Sequence, residues 1–204
     1  MTTVQAGLTY YKQVNEQVRS INDNEIAIEN AIGQRYLGCG SSGKTIIIHG
    51  NVGDACGYGM RGGRIFIQGD CGYRGGIHMK AYQQHYPVVV IGGRAGSFLG
   101  EYQAGGLILV LGIGQDGAYP ASNFCGTGMH GGKIVLRCDK APEGLPRQVL
   151  VSEATADDME RIAPYVEDFC RYFGGDVKAL LAQKYYVLSP NPEAGYHQLY
   201  TYES

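Results

Sequence analysis

CGYGMRGGRIFIQG, from Cys56 to Gly69, recurs 69 residues further on as CGTGMHGGKIVLRC, from Cys125 to Cys138. The first ten positions of the two segments agree at seven, and in each a glycine cluster leads into a β-branched run. LGEYQAGGLI, Leu99 to Ile108, has the same build. Working outward, TIIIHG at 45, RIFIQG at 64, PVVVIG at 87, LILVLG at 107 and KIVLRC at 133 read as short strands bounded mostly by glycine. Their last residues step by 19, 23, 20 and 26, an irregular but persistent internal repeat. A G-x-x-G pair follows four of them, at Gly50–Gly53, Gly69–Gly72, Gly93–Gly96 and Gly114–Gly117.

Strands at roughly twenty-residue intervals, without amphipathic helices between them, predict an all-β fold, a right-handed parallel β-helix. An antiparallel sandwich would connect its hairpins by two-residue loops rather than by segments of this length. In the expected coil, glycine stands at each sharp corner where φ turns positive, Gly62 and Gly131 among them.

The flanks have another texture. NEIAIENAIGQRYL, Asn24 to Leu37, places Ile28, Ile32 and Tyr36 at helical spacing, with Asp23 or Asn24 as cap and Gly38 as terminator. Beyond Gly144, Met159, Ile162, Val166, Phe169 and Phe173 share one helical face, Thr155 and Asp158 form a capping-box pattern, and Pro164 is expected to kink or restart the helix. A further helix is expected over residues 176–186, before a turn-rich aromatic tail. The organisation is therefore an N-terminal helical cap over 1–43, a glycine-rich solenoid over 44–144, and a C-terminal helical cap and tail over 145–204. Either cap would cover unpaired strand edges or seat a partner.

Composition narrows the function classes. There are 32 glycines in 204 residues, well above the roughly 7% average, without the three-residue period of collagen. A net charge of −2 sets up no basic field for nucleic acid, and no apolar run approaches the ~18 residues of a membrane span. The expected location is the cytoplasm. Six cysteines, at 39, 56, 71, 125, 138 and 170, include no C-x-x-C pair, and they read as buried reduced thiols. Cys56 and Cys125, three coils apart, would be about 14 Å from one another, beyond disulfide reach. None of His49, His78, His85, His130 and His197 forms a helical metal-binding pair.

GCGSSGKT, Gly38 to Thr45, satisfies the P-loop pattern G-x-x-x-x-G-K-[ST], which makes Gly43, Lys44 and Thr45 the candidates for nucleotide binding. A P-loop delivers its lysine to a helix N-terminus aimed at the phosphates, whereas TIIIHG downstream is built for a strand. A glycine-serine turn is the competing reading. A free-standing carbohydrate-binding or hydrolysing protein would show exposed carboxylates and aromatics along one face. No nucleophile elbow or zinc-helix motif is present, and no catalytic residue is assigned.

GNVGDACGYGMRGGRIFI (Gly50 to Ile67), GDCGYRGG, LGEYQAGGLILVLG and NFCGTGMHGGKI resemble the G-x-G-x-G domain at the C-terminal end of the glutamate synthase large subunit, and the related C subunit of formylmethanofuran dehydrogenase. The likeness runs from about Ile32 to Arg137. It implies an architectural role for Gly57, Gly59, Gly62, Gly63, Gly100, Gly105, Gly106, Gly126, Gly128, Gly131 and Gly132, with no catalytic residue, cofactor or metal on this chain. In the family this domain holds an amidotransferase, which releases ammonia from glutamine, to a synthase carrying flavin and an iron-sulfur cluster, which aminates 2-oxoglutarate. Thr2 follows Met1 where that amidotransferase class has its cysteine nucleophile. The resemblance therefore implies a scaffold subunit whose reaction is completed by partner polypeptides, with a homo-oligomer as a further option.

Overall fold

The structure is a computed structural model and describes residues 1–7, 11–29, 31, 38 and 43–193. Its elements run β1 (Thr2–Gln5), α1 (Tyr11–Ser20), β2 (Glu25–Glu29), β3 (Thr45–Ile48), β4 (Arg64–Ile67), β5 (Val88–Ile91), β6 (Ala104–Val110), β7 (Gly131–Arg137), β8 (Val149–Glu153), α2 (Ala156–Phe173), α3 (Val177–Leu181) and β9 (Tyr185–Pro190). The strands form one nine-stranded sheet in the order β1-β2-β3-β4-β5-β6-β7-β9-β8. Pairing is parallel from β1 through β7, and β9 then runs antiparallel between β7 and β8.

This overturns the expected all-β, right-handed parallel β-helix with flanking helices. The protein is mixed α/β, a mostly parallel sheet with three helices among the described residues. The physical reason lies in the strand faces. Ile46, Ile65, Val89, Ile108 and Ile134 stand in register on one face. They enter a core with Cys56, Met60, Leu99, Cys125 and Met129 from the glycine-rich connections, and with Val14 and Val18 of α1. Phe66, Val90, Leu109 and Val135 are in register on the opposite face. There they form a second core with Ile162, Val166, Phe169 and Cys170 of α2. A sheet buried on both faces needs a layer on each, and α2 is the layer the reading of the strands omitted.

Helix α2 crosses the strands. Asp158 near its start pairs with Lys133 of β7 at 2.5 Å, Asp168 with Arg64 of β4 at 3.0 Å, and the Tyr172 hydroxyl donates to Glu25 of β2 at 2.6 Å. The step from β7 to β2 is roughly 24 Å of sheet, which about 20 Å of helix rise and the side chains cover. The Thr155–Asp158 capping box is present, and the Gly174 N–H donates to the Cys170 carbonyl at the other end. Pro164 lies within an uninterrupted helix rather than at a break.

The predicted strands at 45, 64, 87, 107 and 133 are all observed. The predicted helix from Asn24 begins instead as strand β2, and most of its remainder, with Cys39, lies outside the described residues. Residues 176–186 divide between α3 and the start of β9.

Candidate interaction surface

Between β3 and β7 the chain turns repeatedly over the first core, and the turns stack on one another. Val52, Cys71, Ala95 and Ala121 are joined in turn by isolated parallel bridges. Side chains bridge successive turns as well. Asn51 Oδ1 accepts from the Asp70 N–H at 2.7 Å, and Asp70 Oδ1 from the Arg94 N–H at 2.7 Å. An acceptor at each turn thereby satisfies a backbone donor of the next.

Three columns of left-handed residues follow. Gly57, Gly76, Gly100 and Gly126 form one, with φ between 65° and 74°. Gly59, His78, Tyr102 and Gly128 form a second, at 64°, 55°, 53° and 70°. Ala55, Arg74, Phe98 and Phe124 form the third, at 54°, 58°, 62° and 61°. Backbone bonds tie the second column together, Gly59 N–H to the Ile77 carbonyl, His78 to Glu101 and Tyr102 to Thr127.

Of the glycines singled out in the sequence, Gly57, Gly59, Gly63, Gly100, Gly106, Gly126, Gly128 and Gly132 have positive φ. Gly62, Gly105 and Gly131 do not, which corrects the expectation for Gly62 and Gly131. Their constraint is close approach. A Cβ on Gly131 would lie 2.5 Å from the Ala104 carbonyl oxygen, and one on Gly62 would lie 3.1 Å from His85 Cβ.

Non-glycine members of the columns, with Tyr73 and Tyr58 beside them, put rings on the surface. Tyr73, Phe98 and Phe124 make a row with centroid spacings of 6.1 and 4.9 Å, and Tyr73 and Phe124 are 51% and 55% exposed. The Arg74 guanidinium lies 5.3 Å from the Phe98 ring and pairs with the buried Glu101 at 2.8 Å. Tyr58, His78 and Tyr102 make a second row at 5.8 and 5.1 Å. This row borders a groove of about 330 Å³ whose other polar lining is Arg61, Lys80 and His130. Arg61 fixes the groove's floor by donating to the Gly59 and His78 carbonyls, each at 2.9 Å. His130 Nδ1 is 3.1 Å from the Gly128 carbonyl.

A second cleft, of about 520 Å³, opens between the sheet and the start of α2, where Tyr86, Tyr165 and Arg161 overhang Leu107, Val135 and the Lys133–Asp158 pair. Burial pushes the Asp158 carboxyl up. The hydrogen bonds from Lys133 and from the Thr155 hydroxyl and N–H outweigh this and bring it down to about 2. Burial also raises the Tyr86 phenol.

Lys44 and Thr45 line neither. The Lys44 ammonium donates to the Ile21 carbonyl, and Thr45 is the first residue of β3, paired with Glu25 and Arg64. Gly43 has φ of 79° with open space where a Cβ would stand. A strand therefore leaves this loop where a phosphate-binding loop has a helix N-terminus. The five described cysteines are free and buried. The hydrogen bond with Cys71, then burial, hold the Cys56 thiol well above its ordinary range, and burial takes Cys125 to about 12 and Cys138 to about 11. His197 lies outside the described residues.

The ring columns were not assigned from the sequence. The signal was there in GSFLGEY and SNFCGTG, which place Phe98 and Phe124 two residues before Gly100 and Gly126, and in GDCGYRGG, where Arg74 takes that place and Tyr73 precedes it.

Among known proteins, the chain is 37% identical to the uncharacterized protein MJ1350 of Methanocaldococcus jannaschii, over 94% of this chain and 93% of that one. The GXGXG motif family matches residues 18–191, from within α1 to the end of β9. Nothing in these matches bears on the further likeness to formylmethanofuran dehydrogenase. With the glycines of the turns in place and the match extending across nearly every element, the chain belongs to the GXGXG motif family, the family of the glutamate synthase C-terminal domain.

Proposed function

We propose that this chain is a scaffold subunit of a cytoplasmic, glutamate-synthase-like oxidoreductase. It holds an amidotransferase chain to a synthase chain that carries flavin and an iron-sulfur cluster, and the assembly aminates 2-oxoglutarate at the expense of glutamine. The observation that carries this reading is the extent of the family match, residues 18–191. The match spans nearly every element of the fold, and in glutamate synthase the matched domain holds the catalytic ones together and carries no catalytic residue of its own. The exposed ring columns supply the kind of surface such a role needs, since aromatic residues and arginine are enriched where proteins dock. The test is affinity recovery of the tagged full-length chain from its native cells, with mass spectrometry of what co-purifies. An amidotransferase and a flavin/iron-sulfur synthase in fixed ratio to the chain are expected. Recovery of unrelated proteins, or of the chain by itself, would overturn the reading.

A further inference from the structure

Resting on that reading, we propose that the groove bordered by Tyr58, His78 and Tyr102 docks an acidic, aromatic-bearing segment of a partner chain. Three observations on the same edge of the molecule carry this.

The first is backbone geometry. His78 and Tyr102 share a column with Gly59 and Gly128, all at φ between 53° and 70°. Glycine adopts that conformation without steric cost, while a bulky residue such as Tyr102 is an outlier there, of the kind that concentrates at functional sites. Glycine alone would build the turn, so the rings are retained against the preference of their own backbone. What they contribute is exposed ring surface: Tyr102 is 37% exposed, and His78 beside it is exposed as well.

The second is charge. The cations Arg61 and Lys80 line the groove, and among the described residues no carboxylate is in its lining. The neighbouring acid, Glu101, is buried and held by Arg74 at 2.8 Å. The groove is complementary to carboxylates.

The third is shape. The groove, of about 330 Å³, is lined from four successive turns, at Tyr58, His78, Tyr102 and His130, which suits an extended segment laid across them. Rings alone would equally suit a neutral sugar chain; the cations favour the acidic segment.

The experiment titrates the full-length protein with three probes: a fluorescein-labelled peptide of alternating Glu and Tyr, its Lys and Tyr counterpart, and maltohexaose. Fluorescence anisotropy and amide chemical-shift mapping are the readouts. The acidic peptide is expected to bind, to weaken with salt, and to shift amides around Tyr58, His78, Tyr102 and His130. Lys80→Glu, on an exposed side chain, is expected to weaken it about tenfold or more, as is Tyr102→Gly. Because glycine suits φ of 53°, Tyr102→Gly should do so without lowering the melting temperature. A silent acidic peptide, equal binding of the basic one, undiminished binding by both variants, or binding of maltohexaose in its place would each overturn the proposal. The outcome separates from that of the affinity recovery. A silent peptide beside an intact assembly removes the groove and leaves the scaffold. Specific peptide binding by a chain recovered without partners leaves the groove and removes the scaffold.

Discussion

Gly131 and Gly59 illustrate two different demands for a missing side chain. At Gly131 the backbone of β6 is in the way, with the Ala104 carbonyl oxygen 2.5 Å from a built Cβ, whereas at Gly59 there is open space and φ is 64°. Gly59→Ala should therefore cost only the left-handed conformation, about 1 kcal/mol. Gly131→Ala forces two packed strands apart and should cost up to about 3 kcal/mol. Urea unfolding of both variants checks the order, and equal losses would contradict the close approach of β6 and β7. Asp158 provides a pH test. Its carboxyl is held at about 2 in the folded protein, below its ordinary value of 3.8, so its contribution is complete above about pH 4 and is lost as pH falls through 2. The native protein should lose roughly 2 kcal/mol from this group over that interval. Asp158→Asn should flatten this part of the acid limb of stability; an unchanged limb would mean that Lys133 and Thr155 do not hold the ionised form.

At the scale of elements, α2 is the layer that makes the sheet two-sided. Phe169 is buried against the strand face that carries Phe66 and Leu109. Phe169→Ala should cost about 3–5 kcal/mol in the cavity it leaves, measured by thermal or urea unfolding. A loss near zero would mean that α2 is dispensable to the sheet. Individual elements were legible where the architecture, a mixed α/β sheet, was not. The β-branched runs marked β3 to β7, and Thr155, Asp158 and the apolar face marked α2. The position of α2 was not read, although the runs TIII, RIFI, VVVI and LILV are apolar at nearly every residue and not at alternate ones, as strands buried on both faces must be. Strand β2 was missed because Ile28 fits a helical period as well as a strand's. The alternation of Ile26 and Ile28, both facing the first core, is what the sheet uses. The first two residues of β9, Tyr185 and Tyr186, fall in the expected helix because KYY follows a helical run, and only pairing with β7 and β8 makes them strand.

For the whole molecule, the family was legible in the order of glycine motifs, and the interaction surface was not. Glycines announce turns one at a time, but ring columns exist only after stacking brings residues some 25 apart, such as Tyr73, Phe98 and Phe124, into one row. The two surfaces that emerge are the groove edged by the ring columns and the cleft beside α2 over the second core. The most direct measurement is size-exclusion chromatography of the affinity-recovered chain, with the absorbance spectrum taken across the peak. The account predicts one assembly larger than the chain, with flavin and iron-sulfur absorbance co-eluting at constant ratio to it. A colourless peak at the size of the chain alone would contradict it.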